Sequence, residues 1–214
     1  MREKETREVI KALLGERRYG EIAELVAQKR SHLRFLRRLL NEPGTLLCWR
    51  AVEAIGVACA RLAETDPAAG RLVLRQLLWT INDESGGIGW AAPQAMGEIV
   101  YRRPDLYGDY ASIIIHHAEE RMLRAGVIWA AGRMAQACPD FVRPHLPLLL
   151  PYLDDPDPHV RGYLLWLLGI LKEKPDFRRH GHLLHDESRV LLYEDGELKE
   201  LTVAALARRA AQTA

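Results

Sequence analysis

Three histidines and an aspartate form the densest group of metal-ligand residue types in the sequence. His180, His182 and His185 are followed directly by Asp186. Imidazole nitrogens and carboxylate oxygens are ligands that zinc and nickel accept. The same compact spacing is also typical of an exposed polar linker, and we favour that interpretation because the spacing is not specific for a metal. We therefore predict no metal site, although the sequence alone leaves open whether this histidine cluster binds a metal.

Catalytic signatures are missing from the rest of the sequence. It contains no Ser-His-Asp arrangement, no HExxH motif and no CxxC pair. The three cysteines, Cys48, Cys59 and Cys138, are odd in number, which suits a reducing cytoplasm and buried thiols without a role. We therefore expect no catalytic residue and no cofactor, and we expect a cytoplasmic protein.

Four of the five tryptophans share one helical stripe with several polar residues. Each lies seven or three residues before a glycine, and these positions fall on one face at about 100° per residue. Indoles are frequent binding anchors because they offer a large rigid surface and one N–H donor. Curvature or a neighbouring repeat could instead bury these rings. The predicted binding groove comprises Trp49, Glu53, Trp90, Gln94, Glu98, Trp129, Arg133 and Trp166.

A glycine-rich stretch between two predicted helices is a second candidate site. It runs from Asn82 through Glu84, Gly86 and Gly87 to the start of the next helix. Glycines let a ligand approach the backbone, and a helix N-terminus offers free amides to an anion. The carboxylates in the loop would repel that anion and could instead cap the helix, so a structural turn is the favoured interpretation. No phosphate-binding lysine follows.

The elements that position these residues repeat along the chain. The segment 124–132 matches 161–169 in its arginine, tryptophan and glycine. Four glycines recur at intervals of about 35 to 41 residues, the period of stacked helical pairs: Gly56, Gly97, Gly132 and Gly169. Small residues at these positions let neighbouring helices approach closely.

Three predicted partner helices, each with a proline in its first turn, lie between the four repeat helices. The partners run over 66–81, 104–117 and 139–153. Proline suits the first turn because its position has no helical acceptor to lose. The sequence thus predicts one domain over 1–214: a helical cap at 1–44, the repeats at 45–175, and a second cap at 176–214.

The C-terminal cap begins with a predicted β-hairpin. Two strand-like segments, 189–193 and 197–201, flank Asp195 and Gly196. Asp-Gly tolerates the positive φ of a tight hairpin turn. Thr202 then caps a last helix with Leu206 facing inward.

Charge and hydropathy exclude several classes of partner. The formal net charge is +1, so no overall field attracts nucleic acid or an anionic membrane. The longest apolar run, 163–171, is too short to span a bilayer, and the first residues lack the apolar core of a signal peptide. Nucleic-acid binding and membrane insertion are not expected.

The order of residues from 155 to 171 resembles the second half of a HEAT repeat. An acidic proline turn, Val160-Arg161, an apolar helix and Leu168-Gly169 follow one another, as in bilin-lyase-like bacterial proteins. The 84–90 loop, the 124–133 helix and the hairpin resemble an uncharacterised bacterial group of HEAT-repeat proteins. The resemblance implies an all-α, right-handed α-solenoid with a concave face lined by the second helices.

This resemblance and the tryptophan stripe together predict a binding function. We expect a non-enzymatic scaffold that binds a protein or peptide in a concave groove. Two alternatives stay open: the handling of a tetrapyrrole or other flat ligand between indoles, with lyase-like activity, and the recognition of alkylated DNA. Arg124 and Arg161 are expected to connect repeats through Asp155 or Asp157.

Overall fold

The computed structural model describes residues 3–82 and 90–212, which form twelve α-helices and one antiparallel pair of strands. The strands are β1 Arg189–Glu194 and β2 Glu197–Thr202. This mostly helical content confirms the predicted class. The helices are α1 Glu3–Gly15, α2 Tyr19–Gln28, α3 Leu33–Leu39, α4 Leu46–Ala63, α5 Pro67–Asn82, α6 Ala92–Arg102, α7 Pro104–Tyr107, α8 Tyr110–His116, α9 Arg124–Ala137, α10 Leu146–Leu149, α11 Pro158–Leu171 and α12 Val203–Gln212.

Backbone proximity divides the chain into two compact units. Unit 1 is Met1–Gly108 and contains α1 to α7, and unit 2 is Asp109–Ala214 and contains α8 to α12 with the hairpin. No helix within the described ranges is both long and apolar enough to cross a membrane.

Helix α4 lies at the centre of unit 1 and packs against α1, α2, α3, α5 and α6. Its first turn is capped by Thr45, whose side chain accepts a hydrogen bond from the Cys48 amide at 3.2 Å. Small buried residues let the neighbouring helices come close. A Cβ added at Gly56 would overlap Glu98 of α6, so glycine at this position permits the contact between the two helices.

Helix α11 has the corresponding position in unit 2, where it packs against α9, α12 and β1. Asp157 caps it by accepting a hydrogen bond from the His159 amide at 2.9 Å, and Pro158 occupies the first turn. Its interior residues Leu164 and Leu165 are fully buried. The cap and the apolar sequence together explain why this helix runs uninterrupted to Leu171.

The hairpin and the last helix are confirmed. Asp195 has φ of 57° and Gly196 has φ of 80°, the left-handed pair that joins two strands of right-handed twist. The Thr202 hydroxyl accepts a hydrogen bond from the Ala205 amide at 3.1 Å, and Leu206 is buried. Local turn and cap chemistry therefore suffices to predict this part of the chain.

Two of the three predicted partner helices are not continuous, whereas the first is confirmed as α5. The segment 104–117 divides into α7 and α8 around Gly108 and Asp109. The segment 139–153 is a series of short 3₁₀ turns around α10, because three further prolines each remove an amide donor: Pro144, Pro147 and Pro151.

The two repeat arginines connect elements of unit 2. Arg124 donates to Oδ2 of Asp155 at 2.6 Å, which confirms the predicted partner. Arg161 instead donates to Oδ2 of Asp186 at 2.7 Å and to the Asp155 carbonyl oxygen at 2.6 Å. Arg161 thus contacts Asp155 as expected, but through the backbone, and its carboxylate partner is Asp186 in the segment before the hairpin.

Candidate functional site

The tryptophan pair of unit 2 is sealed by the chain itself. Trp129 on α9 and Trp166 on α11 stack with ring centroids 6.1 Å apart and planes inclined by 16°. Trp129 Nε1 donates to the Tyr193 carbonyl oxygen, and Trp166 Nε1 donates to Oε1 of Glu194, both at 3.2 Å. Both acceptors belong to β1, so each indole uses its one N–H to hold the hairpin.

The predicted exposure of these two rings is therefore wrong. Trp129 is 2% exposed and Trp166 is 8% exposed. The absence of a side chain at Gly132 leaves room for the Trp166 ring, because an added Cβ would overlap the indole. The hairpin that covers the pair lies more than twenty residues further along the chain. Helical periodicity within α9 and α11 contains no information about this cover.

Two of the predicted groove carboxylates in unit 1 share one arginine. Arg102 donates to Oε1 of Glu98 at 2.7 Å and to Oε1 of Glu53 at 3.2 Å. The Glu98 side chain is buried and that of Glu53 is largely so. A buried carboxylate needs a paired cation, and this arrangement supplies one while connecting α4 to α6. The geometry is that of a structural ion pair.

The remaining groove residues lie in different settings. Trp49 is 4% exposed, so its predicted exposure is also wrong, whereas Trp90 is 42% exposed in the turn before α6. Gln94 is buried, and its Oε1 has no hydrogen-bond partner among the described residues. Arg133 is half-buried and donates to Oε1 of Gln136 at 2.6 Å. That these side chains bind a partner stays a prediction.

The glycine-rich loop lies outside the described residues. This applies to Glu84, Gly86 and Gly87, and to the side chain of Asn82, whose backbone ends α5. Its proposed roles as a turn or an anion site stay predictions.

The histidine cluster is built around one carboxylate. His180 Nδ1 lies 3.1 Å from Oδ1 of Asp154, and His182 Nε2 lies 3.7 Å from the same oxygen. His180 is buried, which contradicts the exposed linker that we expected there, whereas His182 and His185 are exposed. Over residues 3–82 and 90–212, no three histidine, cysteine or acidic side chains are arranged to hold a metal ion.

Two of the three thiols are poor nucleophiles. Burial raises the pKa of Cys48 and of Cys59 to about 12. The thiolate is the reactive form, so both side chains stay protonated and inert at neutral pH. This confirms the predicted burial of these two thiols, whereas Cys138 is only half-buried.

The most exposed tryptophan of the chain, Trp79, does not belong to the predicted tryptophan stripe. Trp79 on α5 is 75% exposed, and Leu72, two turns earlier on the same helix, is also exposed. With α3 they line an open groove of about 590 Å³, called here the α5 surface: Arg37, Leu72, Arg75, Gln76, Trp79 and Thr80. A sequence signal existed, because Leu72 and Trp79 lie off the stripe formed by the buried Val73, Leu74 and Leu77.

A second, basic groove adjoins the α5 surface and shares two of its residues, Arg37 and Thr80. Its volume is about 290 Å³. The guanidinium of Arg37 donates to Oε1 of Gln76, a neutral acceptor, at 2.9 Å. The other lining residues are Arg34, Arg38, Leu40, Asn41 and Leu77.

One segment of the chain is similar to a known repeat family. Residues 121–171, which include α9 and α11, match the profile of a HEAT-like repeat. This match and the helical fold support a helical-repeat protein. No curated protein and no solved structure gives a significant match to the chain.

Proposed function

We propose that the protein is a non-enzymatic scaffold that binds a protein or peptide segment on the α5 surface. The observation that carries the proposal is the exposure of Trp79, beside the exposed Leu72, in an open groove. An indole buries about 150–250 Å² when it is fully covered. Covering the exposed three quarters of Trp79 would contribute about 3–5 kcal/mol at about 25 cal/mol/Å².

Helical-repeat proteins support the proposal as a class, because their stacked helices present extended surfaces to other proteins. The right-handed solenoid of HEAT-like pairs over 1–214 and a cytoplasmic location stay parts of the proposal. The stacked indoles of Trp129 and Trp166 leave no room for a flat ligand between them. For this reason the tetrapyrrole alternative is not proposed.

The test is selection of binders from a random-peptide display library on the immobilised full-length protein. We expect enriched peptides whose binding is lost in Trp79→Ala, because the ring provides most of the apolar contact. Met122→Ala is the matched control, since Met122 is an exposed apolar side chain of unit 2. Enrichment that is equal on Trp79→Ala, or no enrichment on the wild type, would refute the proposal.

A further inference from the structure

The α5 surface and its adjoining groove carry a local excess of positive charge. Four arginines line them, and no acidic side chain of the described residues does: Arg34, Arg37, Arg38 and Arg75. The chain as a whole has a net charge of only +1. The excess therefore belongs to this surface and is not a general property of the protein.

Several arginines elsewhere in unit 1 have carboxylate partners. Arg18 donates to both Glu16 and Glu21, and Arg61 lies 2.6 Å from Glu24. These arginines are neutralised by their own neighbours.

The arginines of the α5 surface and of the adjoining basic groove differ in this respect. Arg37 reaches only a neutral amide, and burial lowers the pKa of its guanidinium, as expected of a cation that has lost water without gaining a carboxylate. Arg38 and Arg75 have no ion-pair partner among the described residues, whereas Arg34 pairs with Glu3 at 3.0 Å. Three of the four arginines thus have no carboxylate partner among the described residues.

The apolar part of the surface has helical spacing. Leu72 and Trp79 lie two turns apart on one exposed face of α5, with Arg75 and Gln76 between them. A segment with apolar residues at helical intervals and carboxylates beside them would match both features.

We propose that the segment that binds the α5 surface is an acidic amphipathic peptide of a partner protein. Its apolar side chains pack on Leu72 and Trp79, and its carboxylates pair with Arg37 and Arg75 of this surface and with Arg38 of the adjoining groove. The inference rests on the proposed function and specifies the chemistry of the partner.

Two other anionic partners fit this surface less well. Single-stranded nucleic acid binds where several aromatic rings stack successive bases beside a basic track, and this surface has one indole. An anionic membrane binds an apolar face that is broad and continuous, whereas arginine and glutamine interrupt this one. Oligothymidylate and vesicles containing phosphatidylglycerol are therefore included in the test as competing probes.

The test begins with the charge of the library peptides that the wild-type protein selects. We expect them to be rich in aspartate and glutamate with apolar residues at helical intervals. The most enriched peptide is then compared with its copy carrying asparagine and glutamine in place of the acids, by fluorescence anisotropy. The acidic peptide should bind at least about tenfold more tightly at low salt, and the difference should shrink as salt screens the pairs.

Variants locate the effect on the surface. Arg38→Gln and Arg75→Gln remove exposed side chains and should each weaken the acidic peptide about two- to fivefold while leaving its neutral copy unchanged. Arg7→Gln, on α1 and outside both grooves, is the matched control and should change neither affinity.

The outcomes separate this inference from the proposed function. Selected peptides that are neutral or basic, but still depend on Trp79, would overturn the acidic partner and leave peptide binding standing. If the protein selects no peptide of any charge, both the acidic partner and the proposed peptide binding are overturned. Binding of oligothymidylate or vesicles that requires Trp79 and is tighter than that of the acidic peptide would overturn the peptide partner.

Discussion

Trp79 in unit 1 and the Trp129–Trp166 pair in unit 2 show two opposite uses of the same side chain. Trp79 is mostly exposed beside arginines that have few partners, whereas the pair is buried and hydrogen-bonded to β1. In unit 2, the chain's own hairpin already covers the two indoles. A tryptophan therefore indicates a binding surface only where the chain itself does not cover it.

The largest expected effect is that of removing the cover. Among the buried side chains that deleting residues 188–214 removes are four large aliphatic ones, each contributing about 1.5–3 kcal/mol: Val190, Leu192, Val203 and Leu206. The loss of about 6–12 kcal/mol is comparable to the whole stability of a domain. We expect low solubility and loss of cooperative melting, measured by circular dichroism. Cooperative melting at the wild-type temperature would contradict the conclusion that the hairpin and α12 cover the core of unit 2.

The next effect concerns the buried ring itself. Trp129→Ala should lower the free energy of unfolding by about 3–5 kcal/mol, because the cavity it leaves is enclosed. Trp129→Phe keeps most of the ring but deprives the Tyr193 carbonyl of its donor, and should cost about 1–2 kcal/mol. Urea denaturation measures both. A loss below about 1 kcal/mol for the alanine variant would mean that the ring is not part of the core.

The ion pair between Arg161 and Asp186, which lies just before the hairpin in sequence, should make stability depend on pH. Burial acts to raise the pKa of Asp186, but hydrogen bonds from Ser188 and Arg161 outweigh it and lower the pKa overall. A depressed folded-state pKa stabilises the fold above the unfolded value of about 3.9, and this contribution is lost as pH falls through the folded pKa. Asp186→Asn should cost about 1–3 kcal/mol at pH 7 and less at pH 3.

The control for this bond is Asp105→Asn, since Asp105 pairs with Arg103 on an exposed surface of unit 1. That variant should change stability by less than about 1 kcal/mol at pH 7. Equal losses for the two variants would remove the distinction between the bond that holds the hairpin and an ordinary surface pair.

The smallest expected effect on stability is that of Trp79→Ala. Because the ring is mostly exposed, its removal should change the free energy of unfolding by no more than about 0.5 kcal/mol. Urea denaturation of this variant beside Trp129→Ala compares the two settings directly. A loss above about 2 kcal/mol would show that Trp79 packs into the core and would remove the basis of the proposed site.

Local chemistry predicted much of the fold but little of the candidate site. The Asp195-Gly196 turn, the Thr202 cap and α11 follow from residues adjacent in sequence, and all are confirmed. The exposure of Trp129 and Trp166 depends on a hairpin distant in sequence, so periodicity predicted it wrongly. The predicted stripe omits Trp79 because this residue belongs to a partner helix, whereas the stripe is defined on the glycine-containing helices.

Trp79 is proposed as the accessible anchor, whereas the hairpin already covers Trp129 and Trp166. The two settings therefore differ in accessibility to a peptide. Fluorine NMR of the 5-fluorotryptophan-labelled chain, with resonances assigned by single Trp→Phe variants, tests this difference most directly. Adding the selected acidic peptide should shift the Trp79 resonance and leave those of Trp129 and Trp166 unchanged. Shifts at Trp129 and Trp166 with an unchanged Trp79 resonance would contradict the account.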